Sequence, residues 1–323
     1  MRVQRFFFNT LGIITLFYLS PSRAQEKTIA NSPQLQQQTV NRISLREVRE
    51  RANQNDAHAE WLLGNALMTG DGVPADEREA VRWYAAAAAQ NLAAAEVALG
   101  YLYEQGRGVR RDYGEAVHFY QAAALQGDAI AENNLGSLYE RGYGTRRNKA
   151  EAMRWYLASA QAGNPIGQSN LAAMYFIGKG VRRDHEQAGR WFHAAAEQGL
   201  PEAQNLLAVM YYKGDGVMRD YAEAARWARR AAEKGYSFGA ADLAYMYEQG
   251  RGVPLDYVAA YTWYSVAAAG GEQHSAKRLK VLEHVMPPQQ LRAAQGQAAE
   301  RRQHGGQTAP QEGVSSLSLL PRD

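Results

Sequence analysis

The sequence predicts an all-α protein, a solenoid of 36-residue helix–loop–helix repeats. The main observation is a Gly-x-Gly motif that recurs every 36 residues without insertion or deletion, beginning at Gly70, Gly106, Gly142, Gly178, Gly214 and Gly250. Leucine, alanine and aromatic residues recur with the same period. Only 10 of the 323 residues are proline, and alanine is abundant, which favours helix over sheet.

Each repeat begins with a helix that we call helix A. In the third repeat, Leu135, Leu138 and Tyr139 have the spacing i, i+3, i+4 and therefore share one face. Gly136 lies beside them and removes side-chain bulk, which lets the partner helix approach closely. Gly142 then ends the helix, because glycine accepts the positive φ of a C-cap. The leucine column holds Leu63, Leu99, Leu135, Leu171, Leu207, Leu243 and Leu279.

The second helix of each repeat, helix B, has a clear start. Good N-cap residues recur as Asp76, Asp112, Asn148, Asp184, Asp220 and Asp256. A Glu or Gln follows three residues later in every repeat except the last, which predicts a capping box. The aromatic column of helix B, predicted to pack in the core, holds Trp83, Phe119, Trp155, Trp191, Trp227 and Trp263.

The start of the chain is typical of a secretory signal (1–24). Arg2 and Arg5 precede an uncharged, mostly apolar stretch over 6–19, and Ser22 and Ala24 stand where signal peptidase reads small residues. The stretch is shorter than the roughly 20 residues of a membrane-spanning helix. We expect cleavage after Ala24 and export to the periplasm or beyond the cell; an uncleaved membrane anchor is the alternative.

The rest of the chain divides into five predicted segments. A flexible, Gln-rich linker (25–43) leads to an N-terminal capping helix (44–54), which Ser44 and Glu47 open as a capping box. The repeat solenoid (55–284) holds six full repeats and a final helix A. A C-terminal capping helix (285–302) covers its end, because terminal repeats need a polar outer face. A disordered tail (303–323) follows.

Composition excludes several classes of site and partner. The chain has no cysteine, so it can form no disulfide, thiolate metal site or cysteine nucleophile. The formal net charge is +3, but Arg2, Arg5 and Arg23 belong to the predicted signal, and without them 33 basic side chains balance 33 acidic ones. A mature chain without net charge has no global attraction to nucleic acid or to an anionic membrane.

The repeat pattern resembles a known family. The run from Ala131 to Tyr139 reads Ala-x-x-x-Leu-Gly-x-x-Tyr, and Gly-x-Gly, an Asp or Asn cap and Trp-Tyr follow it. This pattern is similar to that of the Sel-one-like repeat family, which is related to tetratricopeptide repeats, and it covers about 55–283. The resemblance implies a right-handed α/α superhelical solenoid and an adaptor role in protein complexes, with bacterial members often exported.

The sequence shows no catalytic constellation. Gly-x-Gly lacks the third glycine and the Gly-Lys-Ser/Thr of nucleotide-binding loops, and no His-Glu-x-x-His is present. We therefore expect a non-enzymatic protein without catalytic residues, metal site or cofactor. A hydrolase acting on wall or antibiotic substrates is the enzymatic alternative, suggested by cysteine-rich exported relatives whose cysteine pairs are absent here.

The first candidate site is a partner groove on helix A, which lines the concave side in related helical repeats. Positions near the Leu-Gly pair vary between repeats and mix amides with aromatic rings, as peptide-binding grooves do. The candidate residues are Tyr101, Asn133, Ser137, Ser169, Asn205, Val209, Tyr212 and Tyr245. One row of this predicted groove reads Met68, Glu104, Glu140, Phe176, Tyr212 and Glu248.

The second candidate site is an arginine edge made by one loop column in three adjacent repeats. It holds Arg110, Arg111, Arg146, Arg147, Arg182 and Arg183, and Arg219 extends it. Stacked repeats would align these side chains against an anionic partner. The sequence thus predicts an exported scaffold that binds an unidentified protein or peptide in the groove. The alternative is a cell-envelope component that binds glycan or anionic polymer through the arginine edge.

Overall fold

The computed structural model describes residues 44–305, with side chains up to residue 302. Within this range the predicted fold class is confirmed, because fifteen α-helices pair into repeats of 36 residues. The predicted signal and linker, and all but the first three residues of the predicted tail, lie outside the described residues.

The helices follow each other in a regular order. Helix α1 (Leu45–Ala52) comes first and α15 (Pro288–Gly305) comes last. The A helices are α2 (Ala57–Thr69), α4 (Ala93–Gln105), α6 (Ala129–Arg141), α8 (Pro165–Ile177), α10 (Pro201–Lys213), α12 (Ser237–Gln249) and α14 (Gln273–Val285). The B helices are α3 (Glu77–Ala89), α5 (Tyr113–Leu125), α7 (Lys149–Gln161), α9 (His185–Glu197), α11 (Tyr221–Glu233) and α13 (Tyr257–Ala269).

The described chain forms two compact units. The N-terminal unit runs to Leu171 and includes Lys179–Val181, and the C-terminal unit comprises Ala172–Gly178 and the residues from Arg182 onward. Each unit has its own hydrophobic core. Val48 and Ala52 of α1 are buried in the first core.

The core of the N-terminal unit forms where helix A carries glycine beside its leucine. A Cβ atom added at Gly64 would lie 2.7 Å from the Tyr84 ring, so only glycine lets that ring reach the face of helix A. Gly100 and Gly136 meet two further tyrosines in the same way. The predicted close approach of the two helices is therefore confirmed, and a tyrosine of helix B is its cause.

The fully buried aromatic column lies one position after the predicted one. In the N-terminal unit the predicted rings of Trp83, Phe119 and Trp155 pack against the core but stay half-buried. The residues that follow them are buried in all six repeats and read Tyr84, Tyr120, Tyr156, Phe192, Ala228 and Tyr264. Trp227 and Trp263, in the C-terminal unit, are buried as predicted.

The helix B caps are confirmed in all six repeats, but the reciprocal half of the predicted capping box is wrong. The Asp76 carboxylate accepts from the amides of Arg78 at 3.0 Å and Glu79 at 2.9 Å. The Asp76 amide, however, donates to the carbonyl of Leu67 in helix A at 2.9 Å. The other five caps donate to Tyr103, Tyr139, Tyr175, Tyr211 and Tyr247 in the same way. This bond closes the loop between helices A and B.

The second glycine of each loop is the point where consecutive repeats touch. Gly144 has a φ of 64°, and a Cβ atom there would overlap the carbonyl oxygen of Tyr113, the first residue of α5. Four other loops meet the start of the preceding helix B through the pairs Gly108–Glu77, Gly180–Lys149, Gly216–His185 and Gly252–Tyr221. The motif therefore recurs because the repeats stack backbone against backbone.

In four of the five loops that stack on a preceding repeat, the variable residue between the two glycines contacts that same first residue of helix B. In the fifth loop, Lys179 pairs with Glu140 instead. The chemistry of the contact differs from repeat to repeat. Arg107 forms an ion pair with Glu77 at 2.7 Å, and the rings of Tyr143 and Tyr113 have centroids 4.8 Å apart. Asp215 pairs with His185, and the Arg251 guanidinium lies 5.8 Å from the centroid of the Tyr221 ring. The variability of this position is thus a property of repeat stacking.

The C-terminal unit ends in a helix that covers its last B helix. Ala294 and Ala298 of α15 are buried, and the Arg301 guanidinium lies 4.1 Å from the centroid of the Trp263 ring of α13. Among the described helices, none is both long and apolar enough to cross a lipid bilayer.

Replacing Gly144 with alanine tests the backbone contact between repeats. We expect Gly144→Ala to cost about 3 kcal/mol or more of unfolding free energy, because a positive φ and an overlap with Tyr113 add together. Gly127→Ala is the matched control, since Gly127 also has a positive φ but a Cβ atom there meets nothing within 4 Å. Its cost should be about 1 kcal/mol. Urea unfolding followed by circular dichroism measures both, and equal costs would contradict the stacking role.

Candidate functional site

The structure places most of the predicted groove residues inside the protein. Tyr245 and Ser137 are half-buried, whereas the other six are buried: Tyr101, Asn133, Ser169, Asn205, Val209 and Tyr212. Their role in binding stays a prediction, and it rests on which of their polar atoms already have a partner within the fold.

In the N-terminal unit, the Asn133 side chain already forms hydrogen bonds within the fold. Its Oδ1 accepts a hydrogen bond from Nδ2 of Asn170 at 2.8 Å, which joins α6 to α8. Its Nδ2 donates to Oδ1 of Asn134 at 3.3 Å. A partner at this position would therefore have to displace bonds that the repeat stack forms by itself.

In the C-terminal unit, the equivalent Asn205 is not satisfied in this way. The residue that corresponds to the donor Asn170 is Asp242, whose carboxyl group lacks the amide N–H donors of asparagine. Asn205 is 3% exposed, and its Oδ1 has no hydrogen-bond partner among the described residues. The replacement of one asparagine by aspartate thus leaves a buried acceptor open on α10.

A second open acceptor lies one turn earlier on the same helix face. The Oε2 atom of Glu202 is buried and has no partner among the described residues. Burial raises the pKa of the Glu202 carboxyl, although its own backbone amide donates to it. Burial also raises the pKa of Tyr236, and the charges of Glu202 and Asp242 add to the effect, which places the phenol near both carboxylates. This part of α10 presents acceptors that lack donors.

The two predicted tyrosines of the C-terminal unit differ in role. The Tyr212 ring lies 5.0 Å from that of Tyr221 and 6.2 Å from that of Tyr245, measured between centroids, and its hydroxyl contacts Arg251. Burial raises the pKa of Tyr212 to about 12, and its hydrogen bond with Tyr245 adds to the shift. Tyr212 therefore belongs to the packing between repeats, and the half-buried Tyr245 is the accessible ring.

The glutamates of the groove row (Met68, Glu104, Glu140, Phe176, Tyr212 and Glu248) form hydrogen bonds within the fold, and the binding role of the row stays a prediction. Glu140 and Glu248 are buried, and each accepts a hydrogen bond at 2.8 Å from the core tyrosine of its own repeat, Tyr156 and Tyr264. Glu104 accepts from Tyr120 at 3.1 Å in the same way. In the fourth repeat both partners are phenylalanines, Phe176 and Phe192, with centroids 6.5 Å apart. In these four repeats the residue of the row matches its core partner, whereas in the first repeat Tyr84 donates to Asn65.

The arginine edge is exposed to solvent. Its six members, Arg110, Arg111, Arg146, Arg147, Arg182 and Arg183, are all exposed, as is Arg219. Within the described chain none of them forms an ion pair with a carboxylate. Arg147 donates from Nε to the carbonyl of Glu140 at 3.0 Å, and the Arg111 guanidinium lies 5.7 Å from the Tyr113 ring. The second arginine of a pair thus folds back along its loop while its charge stays in water.

The same loop column becomes apolar further along the C-terminal unit, which sequence reasoning missed. Met218 is 86% exposed and takes the place of the first arginine of a pair. Leu255 is 59% exposed and takes the place of the second, and Tyr257 beside it is 37% exposed. Comparing the loop column between repeats could have found this change, because the substituted positions are visible in the sequence.

No group of three or more metal-ligating side chains that could hold a metal ion occurs among residues 44–302. His185 pairs through Nδ1 with Asp215 and stacks on Phe176 with centroids 4.7 Å apart. This pair joins two consecutive repeats of the C-terminal unit and belongs to the stacking contacts described above.

Comparison with known proteins agrees with the repeat architecture. The model of the Sel1 repeat matches six consecutive segments, 57–92, 93–128, 129–164, 165–200, 201–236 and 237–272. No curated protein matches the sequence.

Two solved bacterial structures are similar to the chain. A protective antigen of uropathogenic Escherichia coli with an SLR fold is 35% identical with a TM-score of 0.72, over 82% of this chain and 58% of that one. The chain therefore spans less than two thirds of that antigen. A Sel1 repeat protein from Oxalobacter formigenes is 31% identical with a TM-score of 0.63, over 67% of this chain and 88% of that one.

Six gapless matches to the repeat model, a shared fold and this level of identity lead to one conclusion: the chain belongs to the Sel1 repeat family.

Proposed function

We propose that the chain is an exported, non-enzymatic scaffold that binds a protein or peptide partner along the A helices of its C-terminal unit. The observation that carries this proposal is that two of the three buried acceptors of α10 without a donor among the described residues, Oε2 of Glu202 and Oδ1 of Asn205, lie on one face of the helix. The predicted signal (1–24) supports export to the periplasm or beyond the cell.

Open acceptors cost the free protein stability. A buried polar atom without a hydrogen bond costs about 1–3 kcal/mol, so a fold selected for stability alone would have filled these positions with apolar side chains. A partner that brings N–H groups would recover that free energy on binding. The tolerated cost is therefore an argument that α10 serves binding.

An extended peptide offers donors at a suitable spacing. On one side of a strand, backbone N–H groups recur about every 7 Å. Side chains three residues apart on a helix lie about 5–6 Å apart at Cβ, and flexible Glu and Asn side chains span the difference. Tyr245 on the neighbouring α12 offers a ring for an apolar side chain of the partner. The adaptor role that the family resemblance implies supports the same reading.

Affinity capture from an envelope extract of the host tests this function directly. We expect Asn205→Ala with Tyr245→Ala to weaken retention of the partner roughly tenfold or more, as loss of a central binding residue does. The matched control is Tyr143→Ala with Gln161→Ala in the N-terminal unit, which changes similar side chains away from α10 and α12. Equal retention by all three proteins would contradict the proposed surface.

Replacing Glu202 with glutamine should stabilise the free protein while weakening partner binding. Burial raises the folded-state pKa of Glu202 above the ordinary value of a glutamate, so the fold loses stability as the pH rises from that ordinary value through the raised pKa. We therefore expect Glu202→Gln to melt higher than the parent at pH 7, with the difference gone near pH 4. Thermal melts of this variant and of Glu233→Gln, an exposed control on α11, measure it. A lower melting temperature at pH 7 would show that the carboxylate is stabilised in the free protein.

A second candidate function is supported by the arginine edge. Its side chains are exposed and form no ion pair with a carboxylate in the described chain, so their charge is available to an anionic glycan, polymer or other envelope component. Binding through this edge would weaken as salt screens it, whereas binding on α10 would change little.

A further inference from the structure

We propose that the loop edge of the C-terminal unit docks onto an anionic lipid surface, with arginines holding the headgroups and Met218 and Leu255 entering the apolar boundary. This inference deepens the second candidate function by naming its partner, and it does not depend on the α10 surface.

The edge is continuous within the C-terminal unit. It consists of three successive loops that precede α9, α11 and α13, and it holds Arg182, Arg183, Met218, Arg219, Leu255 and Tyr257. Backbone contacts of Gly216 with His185 and of Gly252 with Tyr221 seat each loop on the start of the preceding B helix. Consecutive loops therefore lie side by side, and their exposed residues form one row.

The apolar members of this row are not needed by the core. Met218 is 86% exposed and Leu255 59% exposed, whereas Leu125 is the only other exposed methionine or leucine among the described residues. The ring of Tyr257 is 37% exposed beside them, at the first position of α13. A tyrosine with one apolar and one polar end suits the boundary between lipid and water.

The charged members carry no neutralising partner. No carboxylate of the described residues pairs with Arg182, Arg183 or Arg219, and the Arg219 guanidinium lies 5.8 Å from the Tyr221 ring. Arginine binds phosphate oxygens through two parallel N–H donors, so phosphodiester headgroups fit this side chain well.

The combination of the two kinds of residue points to lipid. An anionic polysaccharide would neutralise the arginines but would leave Met218 and Leu255 in water. A bilayer surface offers negative headgroups and an apolar layer directly below them, over an extended area that three adjacent loops can reach together. The absence of net charge in the mature chain limits such attraction to this local row.

Vesicle co-sedimentation tests the proposal. A chain that starts at Gln25, checked for helicity by circular dichroism, is used because the apolar stretch 6–19 would itself bind lipid. Vesicles of phosphatidylcholine with 30% phosphatidylglycerol are compared with pure phosphatidylcholine. We expect preferential binding to the anionic vesicles and weaker binding as salt rises.

Two pairs of substitutions separate charge from apolar insertion. Arg182→Ser with Arg183→Ser should weaken binding about tenfold or more and flatten its salt dependence. Met218→Ser with Leu255→Ser should also weaken it about tenfold but keep the salt dependence. The matched controls are Arg78→Ser with Arg82→Ser on α3, and Leu125→Ser at the end of α5, an exposed leucine away from the loops. Neither control should change binding.

The outcomes distinguish lipid docking from the second candidate function, which is anion binding by the arginine edge. If the arginine pair matters and the Met218–Leu255 pair does not, the edge binds anions by charge alone and lipid docking is overturned. If anionic and neutral vesicles bind equally weakly, lipid docking fails, and binding to a soluble polyanion such as alginate then decides whether the arginine edge functions at all. Equal losses from the controls and the test variants would also overturn the proposal.

Discussion

The structure depends on one steric constraint, which is the absence of a side chain at the second glycine of each loop. At Gly144 and its equivalents the backbone of one repeat lies against the first carbonyl of the preceding helix B, where no Cβ atom fits. Because this contact does not depend on side-chain identity, it recurs in the five loops that follow another repeat and sets the spacing between neighbours. A fixed spacing leaves the surrounding side chains free to differ, which is why an ion pair, a pair of tilted rings and a cation–ring contact all occur at one position.

The core likewise combines positions that are constant between repeats with positions that vary. Leucine and the small residue beside it recur on helix A, while the residue that enters from helix B changes together with its partner. Tyr156 donates to Glu140, whereas at the equivalent places Phe192 faces Phe176 in a purely apolar contact. A buried tyrosine without an acceptor would leave its hydroxyl unsatisfied, so a tyrosine at this position needs an acceptor nearby, which Glu140 supplies for Tyr156 and Asn65 for Tyr84. Variation along one column of a repeat is therefore no sign of function until its partner column has been compared.

The dependence of variable side chains on partners in other helices explains which parts of the structure could be predicted from the sequence. Periodicity located every helix pair, and the glycine and N-cap columns marked the helix ends, because those features are local to one repeat. The candidate groove was harder, because helix A is packed on most sides and its variable positions serve neighbouring repeats as well as solvent. Whether Asn133 or Asn205 has a free acceptor depends on a residue 37 positions later, Asn170 or Asp242, and that pairing becomes visible in three dimensions. The exposure of Met218 likewise follows from how its loop is seated.

The two candidate surfaces arise where one repeat differs from the others, in one case at a buried position and in the other at an exposed position. The buried difference concerns α10. Asp242 stands where the N-terminal unit has the donor Asn170, and Oδ1 of Asn205 has no hydrogen-bond partner among the described residues. The exposed difference concerns the loop edge, where Met218 and Leu255 replace arginines at positions that remain exposed to solvent. Neither change disturbs the glycine contact, so both could be acquired without loss of the fold. A repeat protein of this kind can thus gain binding chemistry in one unit while its neighbours continue to supply stability, since each repeat depends chiefly on the repeats next to it.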